Sequence, residues 1–177
     1  MGWKAVKEAL GIDRHIVAVT DNGICIGSGF VHDLVVIDPE SGAFKENETF
    51  SGFVDQVCPR LREISPEQMK KLIQAPDKFE ASVTVYTYED GQILERQCEE
   101  PGYPNLTHDG DLMHDNTYST DRDTVVRWAK RSARLRSQML HEEVARLEQD
   151  LEKMNQRLAE VEKNAKQLDD DYPDIHE

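Results

Sequence analysis

Residues 140–168 read LHEEVARLEQDLEKMNQRLAEVEKNAKQL, and their apolar side chains recur at alternating intervals of four and three residues. This spacing is that of positions a and d in a heptad repeat, the pattern of a coiled coil. The nine positions, called the seam below, are Leu140, Leu147, Met154, Val161 and Leu168 at d, and Val144, Leu151, Leu158 and Ala165 at a. Most residues between them are charged or carry amides, so this narrow apolar stripe needs a second helix to cover it.

The helix that carries the seam is predicted to be longer than the repeat itself. Residues 121–169 contain neither glycine nor proline, the two residues least compatible with a helix interior. Ser119 and Asp121 offer side chains that can cap the start, and Asp123 places a negative charge in the first turn. We therefore expect one long helix over 121–169, with a coiled coil over 140–168 and an acidic tail over 170–177.

The partner of this helix is expected to be a second copy of the chain, because no other stretch predicts a helix long enough to cover the seam. Val144 at an a position between leucines at d favours a parallel dimer. In that arrangement Arg157 can reach Glu162 of the second helix, whereas Glu143 and Glu148 repel each other. The leucines at two other a positions do not discriminate, and both an antiparallel pair and a different protein as partner stay open.

The remaining part of the chain, residues 1–120, predicts a head of the α+β class. Strands are predicted at residues 15–20, 24–26, 30–37, 81–88 and 92–98. Asn22-Gly23 joins the first two as a hairpin, since both residues tolerate positive φ, and Asp90-Gly91 joins the last two. We expect these strands to form one small antiparallel sheet of about five strands.

The head is also predicted to contain one or two helices. Ser65, Pro66 and Glu67 form the start signal of a helix, with a capping hydroxyl, a proline in the first turn and an early acid. Its apolar stripe consists of Met69, Leu72 and Ile73. A shorter helix is predicted within residues 50–63.

Composition excludes several classes of protein. The chain has 177 residues, with 35 acidic and 21 basic side chains and a formal net charge of −14. A protein this acidic is not expected to coat nucleic acid or an anionic membrane, because each phosphate contact needs lysine or arginine. The acidic residues lie mainly in the head, in its last loop and in the tail.

The compartment is predicted from the cysteines and from the apolar runs. Three cysteines without CxxC spacing argue against a disulfide framework and against a zinc knuckle. No apolar run approaches the roughly 18 residues that a membrane span needs, and residues 1–6 lack the apolar core of a secretory signal. We expect a reduced, cytoplasmic protein with no membrane partner and no cofactor, in which Cys25 is a buried apolar residue of a strand.

One short basic block interrupts the acidic chain. Residues 122–136 carry six lysine or arginine side chains beside Trp128. One interpretation is a local nucleic-acid patch, and four of them are candidates for contact with an anion or a partner: Arg127, Lys130, Arg131 and Arg134. The favoured interpretation is structural: the apolar residues of the helix start pack on the head, and the basic residues pair with its acidic surface. These apolar residues are Val125, Val126, Ala129 and Ala133.

The loop over residues 99–119 is the main candidate for chemistry, because it is long and rich in side chains that bind metals. Its candidate ligands lie within residues 108–115 and are His108, Asp109, Asp111, His114 and Asp115. A mixed set of histidine and carboxylate can hold a divalent ion or perform acid–base catalysis. The spacing matches neither an EF-hand nor HExxH, and Asp109-Gly110 is an ordinary turn sequence, so the favoured interpretation is a polar binding loop.

Five short segments carry a resemblance to known proteins: residues 23–28 (GICIGS), 31–33 (VHD), 103–105 (YPN), 107–110 (THDG) and 115–117 (DNT). In these segments the chain resembles small acidic proteins of tailed bacteriophages and prophages. The resemblance covers the head and the helix start, about two thirds of the chain. That group has no assigned activity, so the resemblance implies no functional residues. It implies a setting, the bacterial cytoplasm during phage growth.

These observations favour a binding protein rather than an enzyme. We expect acidic heads, multiplied by a coiled coil, that bind and modulate or inhibit a host protein, including one of a defence system. The heads and the 99–119 loop are the expected contact surface. One alternative is a metal-dependent enzyme that uses the 108–115 segment, and another is a virion or scaffold component.

Overall fold

The computed structural model describes residues 1–174, and its first compact unit is Met1–Ala129. The strands are β1 (Ile16–Thr20), β2 (Gly23–Gly27), β3 (Val35–Ile37), β4 (Phe44–Glu46), β5 (Val83–Glu89) and β6 (Gln92–Cys98). The helices are α1 (Trp3–Leu10), α2 (Phe53–Val57), α3 (Arg60–Glu63), α4 (Pro66–Gln74) and α5 (Arg122–Asp171), with a 3-10 turn at Glu48–Phe50. The predicted α+β class is confirmed.

The first four strands form an antiparallel sheet in chain order. The predicted hairpin at Asn22-Gly23 is confirmed, with Thr20 paired to Gly23 across the turn. The predicted strand from Phe30 to Ile37 is too long, because the chain turns at Ser28. The Ser28 amide donates to the Val31 carbonyl at 2.7 Å, so that β3 begins only at Val35.

The last two strands form a separate two-stranded sheet, so the prediction of one sheet with about five strands is wrong. The β5–β6 hairpin itself is confirmed, and it turns at Asp90 (φ 45°) and Gly91 (φ 80°). Edge pairing continues outside the strands, where Ser119 bridges Tyr86. The loop before α5 therefore returns to the hairpin.

More helices are present than the one or two predicted. α1 was not predicted from the sequence, and it buries Trp3, Val6 and Leu10 before Gly11 ends it at φ 66°. The predicted helix within 50–63 consists of two short helices, α2 and α3, which the Cys58-Pro59 pair separates. The start of α4 at Ser65 is confirmed, including its capping hydroxyl.

The main core lies between the four-stranded sheet and helices α1, α2, α3 and α4. Its fully buried members come from every one of these elements: Val6, Val17, Ile24, Ile26, Val35, Ile37, Val54, Leu61 and Met69. Cys25 of β2 is also buried, as predicted, but it is not part of this core cluster. A smaller apolar group underlies the second sheet and contains Val85, Cys98 and Met113.

α5 begins one residue after the predicted start and ends two residues after the predicted end. Asp121 caps it by accepting a hydrogen bond from the Asp123 amide at 3.0 Å. Val125 is buried and Val126 and Ala129 are half-buried, whereas Ala133 is exposed, which corrects the prediction that it packs on the head.

The second compact unit begins at Lys130, and every residue of it from 130 to 174 is exposed. None of the helices within residues 1–174 combines the length and the apolar character that a membrane span requires. Residues 175–177 of the predicted acidic tail lie outside the described residues.

Candidate functional site

The 99–119 loop is held to the rest of the head by backbone hydrogen bonds. The His108 amide donates to the Gln97 carbonyl of β6 at 2.7 Å. On the other side, the Val19 amide of β1 donates to the Gly110 carbonyl at 2.9 Å. The loop thus joins the edge of the first sheet to the second sheet.

The start of the loop is fixed by an ion pair. The Lys4 ammonium lies 2.8 Å from both carboxylate oxygens of Glu99. This contact lowers the pKa of the Glu99 carboxyl, and a hydrogen bond from the Glu80 amide lowers it further. The charges therefore anchor α1 to the end of β6.

His108 has a structural position. Its ring stacks on Phe79 with centroids 3.8 Å apart and planes at 4°. Its Nε2 lies 3.1 Å from the Ala81 carbonyl oxygen, which requires Nε2 to carry the proton and donate it. Its own carbonyl accepts a hydrogen bond from Trp3 Nε1 at 3.1 Å. These contacts occupy the imidazole face and one ring nitrogen.

Asp109 and Asp111 both lie close to the guanidinium group of Arg96. Arg96 Nε lies 3.5 Å from Asp109 Oδ2 and 3.9 Å from Asp111 Oδ2. Both distances suit ion pairs but exceed hydrogen-bond length, and this buried Nε has no hydrogen-bond partner within residues 1–174. The two carboxylates thus neutralise an arginine of β6.

A cleft of about 520 Å³ opens beside this arginine, between β1, the second sheet and the loop. Tyr118 lies at its base, packed against the apolar group under the second sheet. Burial raises the pKa of the Tyr118 hydroxyl to about 12, the Asp111 carboxylate adds to this rise, and Arg96 opposes it. At neutral pH the hydroxyl is protonated and can serve as a hydrogen-bond donor.

The remaining two candidates lie at the mouth of the cleft and on the outer surface. The His114 ring stacks on Tyr103 with centroids 5.9 Å apart, and it meets His32 edge-on at 6.5 Å. Asp115 accepts a hydrogen bond from the Tyr103 amide at 3.4 Å.

The five predicted ligands therefore divide among three different surroundings. Within residues 1–174, nowhere do three or more His, Cys, Asp or Glu side chains come together as metal ligands would. The two histidines stack on different rings, His108 on Phe79 and His114 on Tyr103, and the local sequence does not reveal either contact.

An exposed aromatic patch was missed by sequence reasoning. We use this name for Phe30, His32, Tyr103 and His114. Phe30 is 98% exposed at the tip of the turn that follows β2. The adjacent Gly29 lies against the Tyr103 hydroxyl, where a Cβ would approach to 2.1 Å. Phe30 fits an alternating strand pattern, and only the Ser28 turn places it outside the sheet.

The basic block and the seam are both exposed. Arg127, Lys130, Arg131 and Arg134 project from α5, and the ion pair found for this group within residues 1–174 is Arg127 with Asp121 at 3.5 Å. The eight large side chains of the seam are 52–63% exposed, and Ala165 is also exposed.

Comparison with known proteins finds no matching protein-family model, no matching curated protein and no matching solved structure.

Proposed function

We propose that the chain is a non-enzymatic binding protein whose heads are multiplied by a coiled coil over residues 140–168. The observation that carries this proposal is the exposure of the seam along a helix of 50 residues. Burying one large aliphatic side chain stabilises an assembly by about 1.5–3 kcal/mol, so a second helix of the same kind would be bound strongly. Two linked heads then gain avidity for a common target.

The aromatic patch is the surface of the head that best suits a protein partner. Aromatic side chains are enriched among the residues that dominate binding energy, and Phe30 has almost its whole surface free for contact. The patch borders the cleft, whose lining includes Glu89 and the ion pair of Asp111 with Arg96. A target that offers an apolar pocket to Phe30 would fit the patch.

We further propose, on the resemblance to phage proteins, that this activity takes place in the host cytoplasm, where the target would be a host protein, including one of a defence system. The alternative of a metal-dependent enzyme has less support, since its five candidate ligands are held by Phe79, Arg96 and Tyr103 in separate places.

Capture from a bacterial lysate with matched variants tests the proposal. We expect Phe30→Ser to lose the partner that the wild type retains, while Phe50→Ser, at another exposed phenylalanine, retains it. Leu151→Asp should weaken retention because single heads lack avidity. Equal capture by all four proteins would contradict the assignment of the patch.

A further inference from the structure

The charges beside the seam distinguish a parallel from an antiparallel pair. The seam assigns residues 134, 141, 148, 155, 162 and 169 to position e, and residues 136, 143, 150, 157, 164 and 171 to position g. In a parallel pair each g residue meets the next e residue of the second helix. In an antiparallel pair e residues meet e residues, and g residues meet g residues. All of these side chains are exposed on α5, where a second helix can reach them.

A parallel pair combines favourable and unfavourable contacts. Arg157 meets Glu162 of the second helix, which is favourable, but Glu143 meets Glu148, which is not. Arg136 meets His141, an unfavourable contact whenever the histidine is protonated. The parallel arrangement also places Ala165 against its own copy, leaving a poorly filled layer in the interface.

One antiparallel alignment has no like-charge contact at all. It places Leu151 of each helix opposite Met154 of the other. The facing pairs at e and g are then Arg134 with Asp169, Arg136 with Asp171, His141 with Glu162, Asp150 with Arg157, Glu143 with Asn164, and Glu148 with Asn155. Four of these six pairs join opposite charges when His141 is protonated, and the other two join a carboxylate to an amide.

The same alignment matches large side chains with small ones. Leu140 lies opposite Ala165, Leu168 opposite Ser137, and the exposed Tyr172 opposite Ala133. Each layer therefore contains one bulky and one small residue at the two ends of the interface. Alternating sizes of this kind fill an interface without voids.

Shifting the antiparallel alignment by one heptad in either direction brings like charges together. One shift places Asp150 and Glu148 each against its own copy. The other places Arg157 against its own copy and Glu148 against Glu162. The charge pattern thus selects a single register as well as a direction.

We infer that two copies of α5 pair antiparallel in this register, with Arg134 and Arg136 of each helix against Asp169 and Asp171 of the other. This inference rests on the proposed coiled coil. It gives the last two arginines of the basic block a role that needs no nucleic acid, because Arg134 and Arg136 cover the acidic end of the second helix. The helix ends that carry residue 122 then point in opposite directions along the pair.

Spin labels at two outward f positions test the direction in the full-length protein. At ~1.5 Å per residue, the two copies of Asp170 lie about 52 Å apart along an antiparallel pair, and the two copies of Gln156 about 10 Å apart. In a parallel pair neither position has any axial offset, and a pair of helices is only about 20 Å wide. The Asp170→Cys and Gln156→Cys variants can be labelled selectively, since Cys25, Cys58 and Cys98 are buried. Labelled wild type is the control.

Electron–electron dipolar measurement is expected to show a long distance for Asp170→Cys and a short one for Gln156→Cys. Short distances at both positions would overturn the antiparallel inference while leaving self-association intact. Absence of dipolar coupling at Gln156→Cys would overturn the proposed coiled coil itself. The two failures are therefore distinguishable.

A charge exchange supplies a second test. Asp150→Arg should weaken an antiparallel dimer roughly tenfold, because two Arg–Arg contacts replace two ion pairs, and adding Arg157→Asp should restore it. Asp150→Asn controls for the local pair with Lys153 at 3.3 Å. In a parallel dimer the arginine introduced by Asp150→Arg would face Asn155, so the single variant would not be weakened by repulsion. The aspartate introduced by Arg157→Asp in the double variant would face Glu162, which repels it. Weakening only in the double variant would thus overturn the inference.

Discussion

Gly110 is the residue on which the 99–119 loop meets the first sheet. Its φ is 93°, and a Cβ there would lie 2.3 Å from Val19 Cγ2 and 2.9 Å from Trp3 Cδ1. Only glycine combines this backbone conformation with so close an approach. The turn that looks ordinary in the sequence is therefore a packing contact between the loop, β1 and α1.

We expect Gly110→Ala to destabilise the head by about 2–4 kcal/mol, the sum of backbone strain and overpacking. Gly102→Ala is the matched control, because Gly102 has nearly the same φ of 95° but nothing within 4 Å of its Cβ position. Urea unfolding of both variants measures the difference. Equal losses of stability would show that the contact with Val19 is unimportant.

Tyr118 should titrate above the ordinary pH range of a tyrosine hydroxyl. Its pKa of about 12 lies above the ordinary value of 10, so the folded state holds this proton more tightly than the unfolded state. The stability from this group is complete below pH ~10 and is lost as the pH rises through 12. Near pH 12 the absorbance of tyrosinate should show a step in the wild type that Tyr118→Phe lacks. Loss of amplitude near pH 10 in that variant would instead indicate an unshifted group.

At the scale of single elements, Ser65 offers a test of α4. Its hydroxyl accepts from the Gln68 amide at 3.3 Å, and the Gln68 side chain accepts from the Ser65 amide at 3.0 Å. Ser65→Ala should lower the free energy of unfolding by about 1 kcal/mol. The control is Ser51→Ala, at an exposed serine just before α2. Chemical unfolding that shows no difference between the two variants would argue against the cap.

Elements with local signals were predictable from the sequence, and those that depend on distant contacts were not. The Asn22-Gly23 turn, the capping box at Ser65 and the uninterrupted helix after Asp121 each specify their structure within a few residues. β4 has only three residues and forms by pairing with β3, so its sequence carries little signal. α1 has an apolar stripe and is followed by Gly11, and these two local features were sufficient to predict it.

The candidate site was predicted less well than the fold. The sequence singled out the 99–119 loop as the candidate site, but side chains that are close in its sequence contact different parts of the head. His108 turns to Phe79, Asp109 turns to Arg96, and His114 turns to Tyr103. Each of these contacts crosses elements, and no local pattern encodes it.

At the scale of the whole molecule, the five candidate ligands of the 108–115 segment lie in separate surroundings. We therefore expect that the stability of the protein does not depend on a bound metal. Melting followed by circular dichroism with and without EDTA should give the same midpoint, since no metal contributes to folding in this account. The 50-residue α5 gives a strong helical signal for this measurement. A lower midpoint in EDTA, restored by a divalent cation, would contradict the assignment of the loop to structure and binding.

The charge distribution of the whole chain also bears on self-association. The chain as a whole carries −14, yet the basic block is exposed, and the local pair found for it within residues 1–174 joins Arg127 to Asp121. Pairing of two α5 helices would place Arg134 and Arg136 of this block against carboxylates and bury the seam in the same step. Self-association is therefore the central claim.

Sedimentation equilibrium of the intact chain tests that claim most directly. We predict a mass of twice the 20.3 kDa chain for the wild type. Leu151→Asp, which places a charge in the middle of the seam, should sediment as a monomer. Gln149→Asp introduces the same side chain on the outer face and should remain a dimer. A wild-type mass of 20.3 kDa at all concentrations, or an unchanged dimer in Leu151→Asp, would contradict the account.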